Sequence, residues 1–128
     1  MDLEEGLTAE LSAIAGLSNK VFPIMAVQGT PAPYLTYTLG SNGRENTLMG
    51  YDGLVQSQYQ IDLYHLTYAN LKALKKLVIA NIKTYNQRNI GGTGPYIQQV
   101  EIITDFDTYE EAVNLHKGVI EFNIDYNE

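Results

Sequence analysis

The chain has 128 residues, with 15 acidic and 8 basic side chains, a net charge of −7 and no cysteine. This length is typical of a single domain, here residues 1–128, and the lack of cysteine excludes disulfides and thiolate metal sites. The acidic balance disfavours a nucleic-acid-binding surface, the acidic start MDLEEGL is unlike a basic signal peptide, and no apolar run is long enough to span a bilayer. We therefore expect neither secretion by a cleaved signal nor a membrane partner.

The first predicted element is a helix over residues 2–15. Its apolar side chains recur at helical spacing: Leu3, Leu7, Leu11 and Ile14. Asp2 is a predicted N-cap and Gly16 a predicted stop. A short extended piece at 21–24 follows, and residues 34–40 then alternate between two faces, which predicts the first full strand.

The next two elements have the clearest patterns. Residues 54–64 (LVQSQYQIDLY) alternate apolar residues with glutamine and aspartate, which predicts a strand with one buried and one polar face. From Thr67, a predicted N-cap, to Tyr85 the period becomes helical. Lysines share one side of this helix: Lys72, Lys75, Lys76 and Lys83.

Two further strands are predicted at residues 97–104 and 117–126, so the elements follow the order α-β-β-α-β-β. We expect an α+β fold of two layers, in which two helices pack on one face of an antiparallel or mixed sheet of about four strands. The connections at 41–53 and 86–96 are long for such a domain and predict flexible loops with a function.

No residue pattern points to catalysis. His65 and His116 stand outside any metal-ligand spacing, and no serine lies in a GxSxG setting. Asp105 and Asp107 do not have the spacing of a calcium loop and are typical of a solvated acidic turn. The run GGTGP (91–95) lacks the lysine and hydroxyl of a phosphate loop and is typical of a flexible connection. We therefore expect a protein that is not an enzyme and needs neither a metal nor a cofactor.

Charge is unevenly distributed along the chain. The region of the second helix carries five basic side chains and no acidic one, whereas the last 28 residues carry eight acidic side chains and one lysine. Solvated surfaces would explain both clusters. The clusters would also allow Lys72 and Lys76 of one copy to meet Asp105 and Asp107 of the next, in the kind of head-to-tail contact that closes rings.

Ten tyrosines are present and no tryptophan. Several lie in or beside predicted loops or on the less apolar faces: Tyr34, Tyr51, Tyr64, Tyr68, Tyr96 and Tyr109. Tyrosine is enriched where partners bury each other's surfaces, and its hydroxyl can also cap the edge of a core in water. The loop tyrosines are therefore candidates for an interface, with capping of the core edge as the alternative.

Three segments carry a family pattern: VFPIMAVQGTPAPYLTYTL (21–39), GLVQSQYQIDLYHLTYANLKALKKLV (53–78) and FDTYEEAVNLHKGVIEFNIDY (106–126). The matching residues are Gln28, Gly29, Pro31, Pro33 and Tyr34; Gln60, Asp62, Tyr64, Thr67 and Tyr68; and Tyr109, Glu110, Leu115 and Lys117. Together these segments resemble the tail completion, or tail-to-head joining, proteins of long-tailed bacteriophages and prophages, which are similar to the lambda tail terminator. The match follows the family's order over nearly the whole chain.

The resemblance implies a structural virion protein without catalytic residues. It implies that six copies form a ring that caps the tail tube, ends its polymerisation and docks on the head connector. The implied partners are further copies of the chain, the major tail tube protein and a connector protein, with DNA only passing through the ring. It also implies a monomer before assembly, assembly in the host cytoplasm, and a final location at the head-tail interface of the virion.

The prolines of segment 28–34 predict a nearly straight approach to the first strand, which would present fixed contacts to a neighbour. The candidate interface residues are Gln28, Pro31, Pro33, Tyr34, Arg44, Tyr51, Lys72, Lys76, Tyr96, Asp105 and Asp107. The candidates for an acidic lumen that repels passing DNA are Asp62, Glu121 and Asp125, on the polar face of the sheet.

Two alternatives stay open, besides an enzyme, which has no better support than His65 and His116. One is another head-tail connector component, such as a stopper or adaptor, which would share the virion location. The other is a small α+β module that binds a ligand or nucleic acid. Tight, salt-sensitive binding to duplex DNA would favour the second alternative.

Overall fold

The computed structural model describes residues 2–47 and 50–127, and the side chains of residues 44–53 lie outside this description. Within those ranges the chain forms two helices and six strands. In chain order they are α1 (Leu3–Ser12), β1 (Val21–Pro23), β2 (Tyr34–Thr47), β3 (Gly50–His65), α2 (Tyr68–Lys83), β4 (Arg88–Asn89), β5 (Tyr96–Glu110) and β6 (Leu115–Asn127).

Both helices begin at the caps that the sequence predicts. The Asp2 carboxylate accepts a hydrogen bond from the Glu5 N–H at 2.8 Å, and the Glu5 carboxylate accepts one from the Asp2 N–H at 3.3 Å. Thr67 accepts from the Asn70 N–H at 3.2 Å. These bonds satisfy amide groups that the first turn of a helix leaves unpaired. Each helix ends two or three residues before its predicted end.

The prediction of about four strands in the order α-β-β-α-β-β is wrong. The sheet has six strands in the spatial order β1-β2-β3-β6-β5-β4. It is mixed, because β1 lies parallel to β2 while the other neighbouring strands are antiparallel, and it is also curled. The two additional strands, β1 and β4, have only three and two residues and lie at opposite edges. β1 falls within the short extended piece predicted at 21–24, whereas β4 is too short for a periodicity that a sequence could reveal.

Residues 41–47 and 50–53, predicted as part of a loop, lie in strands. β2 and β3 form one long hairpin whose pairing continues to Thr47 opposite Gly50, with two register shifts, one between Leu39 and Ser41 and one between Arg44 and Asn46. Such shifts accommodate an unmatched residue without ending the pairing of the strands. The run SNGREN (41–46) is therefore strand, although Asn-Gly is a common turn signal.

β5 also runs past its predicted end and continues through the predicted acidic turn to Glu110. Aspartate is disfavoured in strands, but here the Lys75 ammonium lies 2.9 Å from a carboxylate oxygen of Asp105 and 2.8 Å from one of Asp107. The prediction of a solvated acidic turn is therefore wrong, because α2 supplies a cation that holds both carboxylates on the strand.

The core lies between the two helices and one face of the sheet. Its fully buried side chains include Leu11, Leu71, Val78 and Ile82 from the helices and Leu35, Ile61, Leu63, Ile120, Phe122 and Ile124 from the strands. Each buried side chain of this size contributes about 1.5–3 kcal/mol of transfer free energy. This layer therefore supplies the main favourable term in folding, and it leaves the opposite face of the sheet without a helix.

The connection after α2 is anchored to α1. The Arg88 guanidinium donates to both carboxylate oxygens of Glu10, at 3.0 and 2.9 Å, and the Gly91 N–H donates to the same carboxylate at 2.8 Å. Ile90 is fully buried and packs so closely on Gly6 that a Cβ at Gly6 would lie 2.9 Å from its side chain. Residues 88–91 thus form part of the packed body.

We expect Glu10 to make the stability of the fold sensitive to acid. The hydrogen bonds from Arg88 lower the pKa of Glu10 against the effect of burial, and the Gly91 N–H lowers it further. Because the folded pKa lies below the unfolded one, the stabilisation is present above the unfolded value and is lost as pH falls through the folded value. Glu10→Gln should therefore cost about 1 kcal/mol of unfolding free energy at neutral pH.

Urea denaturation of the wild type and the Glu10→Gln variant at several pH values between about 3 and 7 measures this effect. The difference between the two proteins should shrink towards the acid end of the series. A difference that stays constant with pH would contradict the assignment.

Candidate interaction surfaces

Residues 24–33 form a segment, here named the crossover arm, that connects β1 to β2. Because these strands are parallel, the arm has to return along the sheet to the start of β2, and it does so over the helix-free face. Ile24 has φ 64° and Gly29 has φ 85°, and the Thr30 N–H donates to the Val27 carbonyl at 3.1 Å to close a turn. The predicted straight approach is therefore wrong, since a parallel pair requires a folded crossover.

A cleft of about 570 Å³ lies between the crossover arm and the turn that joins β5 to β6. Tyr34 and Tyr64 lie in it with their rings stacked, 4.7 Å between centroids. Its strongly exposed apolar side chains are Ile24, Met25, Val27 and Val113, which are 74%, 77%, 66% and 47% exposed. Large apolar side chains gathered at an open cleft are typical of a surface that a partner covers.

Four of the predicted interface residues lie in or next to the cleft. Gln28 and Tyr34 line the cleft, and Pro31 and Pro33 lie in the same arm. The sequence interpretation missed the apolar residues of the arm, whose signal was a run of large apolar side chains outside any periodic element. Burial raises the pKa of Tyr34, and burial with nearby Asp62 raises the pKa of Tyr64 to about 12. Both hydroxyls therefore stay neutral at physiological pH and can donate hydrogen bonds.

The rest of the helix-free face is largely polar. A depression of about 320 Å³ crosses it, lined by Ser41, Gln56, Ser57, Gln58, Gln99, Glu101, Asn123 and Asp125. The predicted lumen residues share this face, because Glu121 pairs with Gln60 and Asp125 pairs with Gln56 in the register of β3 and β6. The face is therefore built from amides and carboxylates across three adjacent strands.

The carboxylates of this face differ in their surroundings. Burial, with the nearby charge of Glu101, raises the pKa of Asp125. Asp62 accepts a hydrogen bond from the Gln60 side-chain amide at 2.9 Å. The face thus combines an acidic character with side-chain amides that can donate as well as accept.

The remaining predicted interface residues do not join the cleft. Lys72 and Lys76 are exposed on α2, and Tyr96, 37% exposed, begins β5 at the opposite end of the sheet. Asp105 and Asp107 bind Lys75 of the same chain. The side chains of Arg44 and Tyr51 lie outside the described residues. The predicted set is therefore spread over several surfaces.

The two histidines lie near the cleft end, where β3 ends and β6 begins. His65 accepts a hydrogen bond from the Leu66 N–H through Nδ1 at 2.8 Å, and burial with nearby Lys20 lowers its pKa. His116 packs against the Tyr109 ring at 5.1 Å. In the described part of the chain, no three histidine, aspartate or glutamate side chains gather as metal ligands. Neither described helix has the length and apolar character needed to cross a bilayer.

Comparisons with known proteins identify solved structures that have a similar fold. No family model and no curated protein matches the chain. A chain of the virion of a native gene transfer agent (GTA) particle has a TM-score of 0.71 and 14% identity, and the alignment covers 98% of this chain and 95% of that chain. A second solved structure, whose name states no function, has a TM-score of 0.58 and 14% identity and covers 98% of this chain and 90% of its own. This chain therefore shares its fold, over nearly its whole length, with a chain found in a virion.

Proposed function

We propose that this chain is a structural protein of the virion of a long-tailed bacteriophage or prophage, where it completes the tail and joins it to the head. The observation that carries the proposal is the fold shared with a chain of the gene transfer agent virion, at 98% and 95% coverage. The resemblance of segments 21–39, 53–78 and 106–126 to tail completion proteins supports the same role from the sequence. The protein acts without catalysis and without a cofactor.

In this role six copies form a ring at the end of the tail tube. The apolar cleft beside the crossover arm supplies a contact surface for the tail tube protein or the connector. The helix-free face lines the lumen, with Asp62, Glu121 and Asp125 among its acidic groups. Carboxylates on that wall repel DNA phosphates within a Debye length of about 8 Å at physiological salt, so DNA passes without binding.

Deleting the coding sequence from the parent phage or prophage tests the proposal. A tube without its terminal ring continues to add subunits, so we expect tails severalfold longer than normal and heads without attached tails. Electron micrographs of induced lysates give the distribution of tail lengths, and the intact chain supplied from a plasmid is the control. Tails of normal length attached to heads would contradict the proposal. Tails of normal length that fail to join heads would show a stopper or adaptor instead.

A further inference from the structure

Two long strand edges lack a neighbouring strand among the described residues. β1 covers β2 only opposite residues 35–37, so the outer edge of β2 is open from Thr38 onward. β4 covers β5 only at Tyr96 and Ile97, so the outer edge of β5 is open from residue 98 to Glu110, apart from the Val100 N–H, which donates to the Asn86 side chain. Open edges of this length present backbone donors and acceptors that pair readily with another strand.

The directions of these two edges suit each other. Three antiparallel pairings separate β2 from β5, so the two strands run in opposite directions. A second copy, rotated about an axis along the strands, would place its β2 antiparallel to β5 of the first. β1 occupies the start of the β2 edge and β4 occupies the start of the β5 edge, and these two starts lie at opposite ends of the sheet. The neighbouring copy therefore has to be shifted along the strands. Closed sheets require such a stagger.

The surface beside the β2 edge is acidic. α1 exposes Asp2, Glu4 and Glu5, which with Tyr37 of β2 border a shallow depression of about 410 Å³. Leu39, on β2 itself, is 39% exposed beside this depression and has Tyr59 as its partner on β3. The β2 side of the molecule thus combines an open edge with negative charge and an exposed apolar side chain.

The surface beside the β5 edge is basic. Lys75 marks the side of α2 that faces β5, through its ion pairs with Asp105 and Asp107. The exposed lysines lie within ~100° of Lys75 around the helix, on the side away from the core: Lys72, Lys76 and Lys83. β5 adds exposed apolar side chains, with Ile103 47% and Phe106 50% exposed.

We propose that β5 of one copy pairs with β2 of the next, which continues the sheet from copy to copy and sets the acidic side of α1 against the lysines of the neighbouring α2. The contact joins two different surfaces, so its repetition closes a ring when the rotation from copy to copy is a whole fraction of a turn, as a ring of six requires. Asp105 and Asp107 form ion pairs with Lys75 of their own chain. The acidic residues that face the lysines of the neighbouring copy are therefore Asp2, Glu4 and Glu5. This inference rests on the proposed function, since it specifies how the copies of the ring are joined.

Disulfide trapping tests the strand pairing directly, because the chain has no cysteine of its own. Three double variants of the full chain combine Ser41→Cys on β2 with Thr104→Cys, Phe106→Cys or Thr108→Cys on β5. The register places all four positions on the helix-free face, as a cross-strand disulfide requires. Under mild oxidation at least one pair should give a ladder from dimer to hexamer on a non-reducing gel.

Two controls fix the meaning of that ladder. A mixture of the two single-cysteine variants should stop at the dimer, since each copy then carries only one cysteine and can form only one disulfide. Ser41→Cys combined with Ala73→Cys, on the outward side of α2, should give no ladder. The absence of a ladder from all three test pairs, or an equal ladder from the control pair, would overturn the proposal.

A charge swap tests the contact between the helices. Lys76→Glu alone and Glu4→Lys alone should each lower the yield of the responding disulfide about threefold at low salt. The two changes together should restore the yield, because the exchanged charges again face each other. Thermal melting confirms that each variant is folded. A combined variant that cross-links no better than either single one would refute the helix contact.

The outcomes also separate this inference from the proposed function. Virions that contain the chain as a ring, with none of the three cysteine pairs linked, would overturn the strand pairing and leave the virion role intact. A ladder in solution from a chain that never enters virions would support the pairing and overturn the virion role.

Discussion

Replacing Gly94 with alanine should lower the free energy of unfolding by about 3 kcal/mol. A Cβ at this position would collide with the carbonyl oxygen of Ile90, which already accepts a hydrogen bond from the Gly94 N–H at 2.9 Å. The turn would have to open, and Ile90 would leave its fully buried site between the connection and α1. The expected loss is therefore that of a buried isoleucine and not that of an ordinary loop change.

The neighbouring Gly92 provides a matched control. It has φ 83°, and a Cβ there would meet no atom within 4 Å. Gly92→Ala should therefore cost only the backbone strain of a left-handed residue, about 1 kcal/mol. Urea denaturation of both variants measures the two costs. Equal losses would show that the close packing of Gly94 on Ile90 does not determine stability.

Replacing Lys75 with methionine should cost about 2 kcal/mol at neutral pH. Methionine keeps the apolar stem but leaves the carboxylates of Asp105 and Asp107 on the same face of β5 without their cation. The Lys75 side chain is only 11% exposed, whereas Asp105 is 42% exposed, so solvent screening places the cost below that of a fully buried pair. Lys76→Met, one residue further along the helix and exposed, should change stability by less than about 0.5 kcal/mol.

The pH dependence of this variant follows from the same ion pairs. Burial alone would lower the pKa of Lys75, but its hydrogen bonds and coulombic attraction to the two aspartates together outweigh burial and raise it. The stabilisation is therefore fully present below the unfolded pKa of lysine and is lost only as pH rises through the folded value. Guanidinium denaturation at several pH values checks this, and a cost for Lys76→Met equal to that for Lys75→Met would contradict the assignment.

Local signals in the sequence determine much of the fold. The caps at Asp2 and Thr67 are set by the side chains of single residues, so they can be predicted without tertiary information. The alternation in β3 and β6 also follows from the sequence, because one face of each strand lies against the helices and the other does not.

The strand extensions could not be predicted from local propensity. β5 continues through Asp105 and Asp107 because Lys75, 30 or more residues earlier in the chain, binds them. β2 continues through SNGREN because register shifts and pairing with β3 keep the segment extended. In both places a distant contact overrides the preference of the local residues.

In the candidate interaction surfaces, too, some features follow from the local sequence and others depend on distant contacts. The polar sheet face with Asp62, Glu121 and Asp125 follows from strand alternation. The cleft does not, because its two sides, the crossover arm and the turn between β5 and β6, are more than 75 residues apart in sequence and meet only through the sheet order.

The parallel placement of β1 has a consequence for how the chain is made. Residues 2–33 contact both faces of the sheet at one margin, with α1 on one face and the crossover arm on the other. The residues that they contact are synthesised much later. Gly6 packs on Ile90, Glu10 binds Arg88, and the crossover arm shares a cleft with the turn after β5. This segment is thus synthesised before the residues that hold it in place, and the nascent chain carries an unmatched amphipathic helix until residues 88–91 have been added.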